Sequence, residues 1–395
     1  MPATVAFWGA LATIAYTYLG FPAMVLLRGW FFPRPHRSAP ITPLVCVIIA
    51  ARDEASVIGR KVERLLASDY PKDRMRVVVA SDGSTDATVE IARQFVDRGV
   101  HVLDLPGEGK ARALNAAVDE CAGDILLFTD ANSELALDAI SALMRPFADP
   151  AVGGVAGNQV YRRSTEPTEV AAGERAYWDL DRRLKVAESR AGSAVSATGA
   201  LYAVRRELFA PIPDGVTDDF ITSARVVAQG RRLVFAPDAI AFEDVAQSTG
   251  LEFSRKVRVM TRGLRGVVLM RELLDPRRHG FYAIQLASHK VLRRLTAVPL
   301  IVMLFSAPFG WRRGAIYRVA SIGQALTYGL GAIGIMYERR RIGRLAVFAI
   351  PAFFCMVNVA SLVAVRNVLF GRRVDRWATV RGPREATPPW GADDS

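Results

Sequence analysis

The chain has 395 residues and a formal net charge of +12, unevenly placed: residues 251–395 carry a net +16 and the first 250 a net −4. Basic charge that travels with the second hydrophobic half suits an anionic membrane surface, and no helix-turn-helix, zinc-finger or stacking-aromatic motif points to nucleic acid. The three cysteines, Cys46, Cys121 and Cys355, lack CxxC spacing and offer neither a zinc site nor a disulfide framework, which predicts a domain on the reducing side of a membrane.

Residues 1–27 contain no charged side chain. Such a stretch can cross a hydrocarbon core of about 30 Å. With no basic start and no small-residue cleavage site, residues 1–31 read as an uncleaved anchor and not as a secretory signal. Residues 32–43 are proline-rich and basic, an extended linker that separates two folding units.

From Leu44 the pattern changes. Apolar runs at 44–50, 76–81, 100–105 and 125–129 predict buried strands, and amphipathic stretches at 56–67, 86–96, from Ala111 and from Leu137 predict helices. This alternation predicts an α/β catalytic domain over residues 44–250 with a mostly parallel sheet. Such sheets bind ligands outside the carboxyl ends of their strands, so the polar residues after each strand are the place to look for chemistry.

Residues 251–274 form an amphipathic helix pattern, Phe253, Val257, Met260, Leu264 and Val268 on one side and Arg255, Arg258, Arg262 and Arg265 away from it. Residues 251–294 are therefore expected at the membrane interface. Three further apolar segments, about 295–311, 315–337 and 345–365, place membrane spans within 295–370, before a basic and then polar tail, 371–395. Arg28, Arg34 and Arg37 orient the catalytic domain to the cytoplasm of a multi-pass inner-membrane protein. Arg339, Arg340, Arg341 and Arg344 agree if the first two segments form a hairpin. A final span would then export Arg366, Arg372, Arg373 and Arg376, so either one segment is re-entrant or interfacial or the rule fails here.

Four motifs carry polar chemistry. Ser81-Asp82-Gly83-Ser84-Thr85-Asp86 follows a strand: Asp82 can accept from a ribose hydroxyl or a base N–H, and Ser84 or Asp86 can cap the next helix. Thr129-Asp130-Ala131-Asn132 follows another, and an aspartate with a second oxygen ligand two residues on can hold Mg²⁺ or Mn²⁺ beside a diphosphate. Thr217-Asp218-Asp219 opens a helix; Asp218 can serve the helix dipole, and Asp219 is the sharper candidate for a base that deprotonates an acceptor hydroxyl. Gly107-Glu-Gly-Lys110-Ala-Arg-Ala-Leu-Asn115 combines glycines, a lysine and a helix start, features that suit a phosphate, although GxxxxGK[ST] is absent.

Taken in order, VIIAARDEASVI, SDGSTD, GKARALN, FTDAN, ATGALYAVRRELF, TDD and FSRKVRVMTRG resemble the membrane-bound, cellulose-synthase-like glycosyltransferases of family 2, over roughly residues 44–270. The resemblance implies a GT-A fold, a nucleotide-sugar donor, most often UDP-linked, and a divalent metal. Carried onto this chain, it implies that Ala50 and Glu54 border the nucleotide, that Asp82 contacts the nucleoside, and that Lys110 lies near it or the diphosphate. Asp130 matches the metal-facing aspartate, with Asn132 where many members have a second Asp. Thr217-Asp218-Asp219 matches Thr-Glu-Asp, which makes Asp219 the general base, and Gly199 and Ala200 fall in the segment lining the acceptor site.

Processive members carry Gln-x-x-Arg-Trp where this chain has Arg255-Lys-Val-Arg258-Val-Met-Thr-Arg262-Gly. Arg258 or Arg262 can still clamp a diphosphate, but the tryptophan that would stack on an acceptor sugar is missing. The expectation is an inverting transferase acting on a polysaccharide or oligosaccharide acceptor, with single-sugar transfer to a polyprenyl phosphate or glycolipid as the alternative. A sugar-nucleotide sensor needs no base, and a nucleotidyltransferase should be soluble.

Overall fold

In the computed structural model, residues 2–161, 181–243, 249–337 and 340–372 are described. The tail beyond Arg372, with Arg373 and Arg376, and Arg339 of the basic cluster lie outside them.

An eight-stranded sheet forms the core, in the order β3-β2-β1-β4-β7-β6-β8-β5. β1 (Val45–Ala51), β2 (Met75–Asp82), β3 (Val100–Leu105) and β4 (Ile125–Phe128) are parallel. Beyond β4 the sheet is mixed. β5 (Glu134–Leu135), β6 (Val152–Tyr161), β7 (Tyr202–Arg205) and β8 (Arg232–Glu243) include three antiparallel pairings, β4 with β7, β6 with β7 and β5 with β8. The expectation of a mostly parallel sheet thus holds for one half only.

Every residue of β1 is buried because both faces of the strand are covered. α3 (Ala55–Leu66), α4 (Thr88–Arg93) and α6 (Ala139–Met144) contribute to the core on one face, and α5 (Lys110–Asp119) and α8 (Asp218–Ala228) to the core on the other. Burying a side chain such as Ile48 or Ile49 contributes about 1.5–3 kcal/mol. Phe128 stacks on Tyr202 at 4.9 Å between ring centroids, welding the parallel half to the mixed half.

Cys46 of β1 and Cys121, just past α5, are joined as a disulfide, with Cα atoms 6.1 Å apart. This corrects the reading of three unpaired cysteines. The packing of α5 over β1 brings together residues 75 apart in the chain, which no local spacing could reveal. The inference of a reducing compartment drawn from the cysteines therefore falls away.

At the amino end, α1 (Pro2–Ala15) and α2 (Phe21–Phe31), joined by a π-helical turn, make a 30-residue apolar helix. The helices Ala315–Met336 and Ala346–Leu369 are also long and apolar enough to cross a membrane, and Phe281–Leu295 with Ala297–Gly310 form a further pair bent by 50°. That bend, a broken span or a re-entrant loop, falls where the positive charges left the topology open.

The proline-rich segment is extended but does not hang free. Arg34 N donates to Arg190 O at 2.8 Å, Arg232 Nη2 to Arg34 O at 2.7 Å, and Tyr70 OH to Pro43 O at 2.6 Å. α9 (Thr249–Leu269) turns Phe253, Val257, Met260 and Leu264 toward Ala360 and Ala364 of the last apolar helix, so much of its apolar face is covered by protein, while Val268 stays 58% exposed.

A buried ionic cluster ties the bent apolar helix to the domain. His289 Nδ1 meets Glu188 Oε1 at 2.7 Å, and Asp181 pairs with Lys185 at 3.4 Å and with Arg293 at 3.6 Å, joining α7 (residues 181–191) to the bent helix. Buried charges survive only when paired in this way.

The turn after β2 depends on Gly83, which adopts φ +62° and would place a Cβ 2.7 Å from the backbone of Gly107. A left-handed conformation costs an L-residue about 1–2 kcal/mol, and the backbone contact adds to it. Gly83→Ala is expected to destabilise the protein by about 2 kcal/mol, measured as a fall of several degrees in the thermal midpoint in detergent.

Candidate active site

The site gathers at the carboxyl ends of the parallel strands. Asp82, at the end of β2 and 1% exposed, accepts from Gly109 N through Oδ1 at 2.8 Å, while Oδ2 faces Arg52 Nη1 at 3.5 Å. The bond to Gly109 docks the start of α5 against β2, which puts the next residue, Lys110, over the middle of the sheet.

The loop after β1 is laced to the loop after β2. Thr85 N donates to Asp53 Oδ1 at 2.7 Å, Ala55 N to Asp86 Oδ2 at 3.1 Å, and Glu54 N to Thr88 Oγ1 at 2.7 Å. These bonds explain how Asp53 holds φ +50°, a conformation that aspartate tolerates better than most residues. Asp86 thus spans the starts of two helices, accepting from Thr88 N at 3.0 Å as well.

Lys110 is the hub. Its Nζ stands 2.8 Å from Asp130 Oδ1 and 3.1 Å from Asp218 Oδ1. Burial opposes its charge, but the two carboxylates win and hold its pKa well above the usual lysine value. Asp218 also accepts from Tyr202 OH at 3.2 Å, so it does more than complement a helix dipole. Asp130 N donates to Gly199 O at 3.1 Å, and a Cβ on Gly199 would lie 2.8 Å from Asp130 Oδ2. Only a glycine leaves that carboxylate its place.

Asp219, beside Asp218 at the start of α8, accepts from Phe220 N at 2.7 Å. Burial and then the Asp218 charge push its pKa above the usual aspartate value, against the pull of Lys290 and Lys110. Arg258 on α9 feels Asp130, while burial and the neighbouring Arg262 and Arg255 lower its pKa. Arg262 is half-buried one turn further along the same helix. Asn132 lies half-buried in the turn between β4 and β5. Ala50 is 3% exposed within the core, so its side chain offers no polar contact, and Glu54 is likewise 3% exposed.

Four further residues near these carboxylates were not singled out by the sequence. Lys61 of α3 is buried beneath Asp130, donating to Thr129 Oγ1 at 2.7 Å and to Ser133 O, and burial pushes its pKa down to about 7. Glu243 accepts from Ser133 Oγ at 2.6 Å, and burial and then Asp130 raise its pKa. Tyr202 was hidden inside an apolar strand, and Lys290 sits on the bent helix, where its charge bears on Asp219. Only Tyr202 lay inside a recognised motif.

A carboxylate at Asp130 and an amide at Asn132 are the kind of oxygen donors a hard cation takes, and Asp130 Oδ1 is here paired with Lys110 Nζ at 2.8 Å. Among the described residues no cluster of three or more His, Cys, Asp or Glu forms a cage by itself. A carboxyl whose pKa is raised on folding destabilises the fold once pH passes its unfolded value of about 4. Asp219→Asn is therefore expected to raise the thermal midpoint at neutral pH, a gain that disappears below about pH 4, as unfolding scans across pH would read.

Comparison with known proteins bears on the family and the fold. The family model described as "Glycosyltransferase like family 2" matches residues 42–266. An N-acetylglucosaminyltransferase of Rhizobium meliloti (strain 1021) is 26% identical over 223 residues, 52% of this chain and 52% of that protein. A beta-monoglucosyldiacylglycerol synthase of Synechocystis sp. (strain ATCC 27184 / PCC 6803 / Kazusa) is 34% identical over 122 residues, 29% of this chain and 25% of that one. The match to the first of these curated relatives thus spans about half of its length. Among solved structures, the mannosyltransferase PcManGT from Pyrobaculum calidifontis, in complex with GDP-Man and Mn²⁺, superposes with a TM-score of 0.69 at 23% identity, covering 93% of this chain and 100% of that one. By its sheet and these matches, the chain belongs to the glycosyltransferase-like family 2 and has the GT-A fold.

Proposed function

We propose that this chain moves a sugar from a nucleotide-sugar donor, UDP-linked, onto a hydroxyl of a polysaccharide or oligosaccharide acceptor, with inversion at the anomeric carbon, in cell-surface or exopolysaccharide synthesis. The observation that carries the reading is the bridge from Lys110 Nζ to Asp130 at 2.8 Å and Asp218 at 3.1 Å, beside the raised carboxyl of Asp219. A cation between strand-end carboxylates suits a departing diphosphate, and a carboxyl poised to take a proton suits an attacking hydroxyl.

The residues divide the work. Asp82 retains acceptor capacity for a nucleoside N–H or hydroxyl, with Glu54 and Ala50 along the same border. Lys110 and the α9 arginines Arg258 and Arg262 offer positive charge to the diphosphate. Mg²⁺ or Mn²⁺, held by Asp130 and Asn132, would supply further neutralisation of the leaving group. Asp219 takes the acceptor O–H proton as the acceptor oxygen bonds to the anomeric carbon, and the bond to the diphosphate oxygen breaks with its electron pair leaving on the nucleoside diphosphate. A single displacement of this kind inverts configuration.

The anchor's following arginines, Arg28, Arg34 and Arg37, support a cytoplasmic site on the inner membrane. A second reading, transfer of one sugar to a lipid acceptor, is favoured by the absence of a tryptophan near Arg258 and by the stretch 34% identical to the diacylglycerol-modifying relative. A ladder of product masses supports the polymer reading, and a single addition the lipid one.

Loss of a general base typically costs about 10²–10⁴ in rate. Asp219→Asn should lose transfer by about that factor while binding donor as the wild type does, measured with radiolabelled UDP-sugars and purified protein. Wild-type turnover in that variant would remove Asp219 from the mechanism. Because burial and then the Asp218 charge raise the Asp219 carboxyl, activity should fall as acid protonates Asp219, at a pH above the ordinary aspartate range. In Asp218→Asn that acid limb should move to lower pH, which a profile of kcat/KM against pH would reveal.

A further inference from the structure

A groove of about 630 Å³ opens between α2 and α7, away from the carboxylates and Lys110 of the site. Leu26, Leu27 and Trp30 of α2 and Val186 of α7 give its lining apolar surface, and Arg182, Arg183 and Arg190 of α7 add basic side chains to it. We propose that this groove holds one anionic phospholipid of the bilayer, its acyl chain along the apolar wall and its phosphate on the three arginines.

Depth in the membrane is the first argument. The anchor ends in Trp30, Phe31 and Phe32, which are 72, 63 and 68% exposed. Aromatic residues at the end of a span sit at headgroup level, so the groove beside Trp30 straddles acyl chains and headgroups.

Charge is the second. Arg183 and Arg190 are seven residues apart on α7 and share a face, with Arg182 beside them. All three are exposed, and none forms an ion pair or side-chain hydrogen bond with a described residue. Three unneutralised guanidiniums on one short surface repel one another, and each presents a planar fork that matches phosphate oxygens. Of the other cations nearby, Arg28 lies over the Phe281 ring at 4.5 Å and Arg293 belongs to the buried ionic cluster.

Rigidity is the third. α2 crosses α7 so closely that a Cβ on Gly29 would lie 3.0 Å from Ala187 O, and Arg34 N is bonded to Arg190 O at 2.8 Å. These contacts fix α2 against α7, and the groove's volume of about 630 Å³ falls within the size range of ligand pockets. Leu26 and Leu27, 52 and 50% exposed, complete a chain-wide apolar strip.

The test uses the full chain in nanodiscs of phosphatidylcholine alone or of phosphatidylcholine and phosphatidylglycerol in equal parts. Native mass spectrometry should find one phosphatidylglycerol retained by the wild type, preferred tenfold or more over phosphatidylcholine. The combined variant Arg182→Gln, Arg183→Gln, Arg190→Gln should lose that preference, yet unfold at the wild-type temperature in pure phosphatidylcholine, since these side chains pair with nothing described. A control with equal charge loss, Arg271→Gln, Arg277→Gln, Arg278→Gln, should keep the preference. Undiminished phosphatidylglycerol retention in the first variant, or equal loss in the control, overturns the proposal. Displacement of the lipid by inorganic phosphate alone also overturns it, because a free-anion site needs no chain. Displacement by a polyprenyl phosphate, with the arginine variant losing that ligand too, reassigns the groove to a lipid-linked substrate and overturns the resident phospholipid.

Discussion

Lys110 between Asp130 and Asp218 is the interaction on which the site depends. Without a cation there, the strand-end carboxylates and Asp219 would crowd uncompensated negative charge into a partly buried space, where repulsion is much less screened than in water. The lysine is placed by the bond from Gly109 to Asp82, and Asp130 by the space that Gly199 leaves. Three elements far apart in sequence, the turn after β2, the turn after β4 and the start of α8, are thereby drawn to one point.

That point is coupled to the membrane helices by packing. α9 leans its apolar face on the last helix and brings Arg258 within the field of Asp130. The bent helix carries His289 into the ionic cluster with α7 and, at the next residue, sends Lys290 toward Asp219. A change in how these helices sit would reach the surroundings of both Asp130 and Asp219. The same α7 meets the anchor, so one helix touches the ionic cluster on one side and the proposed lipid groove on the other.

Beneath the site lies a second layer of buried polarity. Lys61, Thr129, Ser133 and Glu243 are hydrogen-bonded to one another or to the neighbouring backbone, under the loop that bears Asp130 and Asn132. A buried lysine lowered to about 7 and a carboxyl raised by burial carry less charge than their exposed counterparts. They hold the loop's shape without adding a full ion pair to its electrostatics.

The parallel half of the sheet was legible because each strand there is a short apolar run followed by a polar turn, a pattern that depends on local order alone. Asp82, Asp130, Asp219 and Lys110 were found for the same reason: each follows a strand or opens a helix. The mixed half was not read, since β6 carries glycines at Gly153, Gly154 and Gly157 and β5 is only two residues long. Which carboxylates share a cation, that Asp218 bonds Lys110, that Cys46 meets Cys121, and that Lys61, Glu243 and Lys290 lie close to these carboxylates were decided only in three dimensions. Sequence determined the family, the fold class and the strand ends at which the polar motifs stand. Tertiary packing decided the partners, because contact between residues many positions apart depends on how helices cover a sheet, and no local pattern records that.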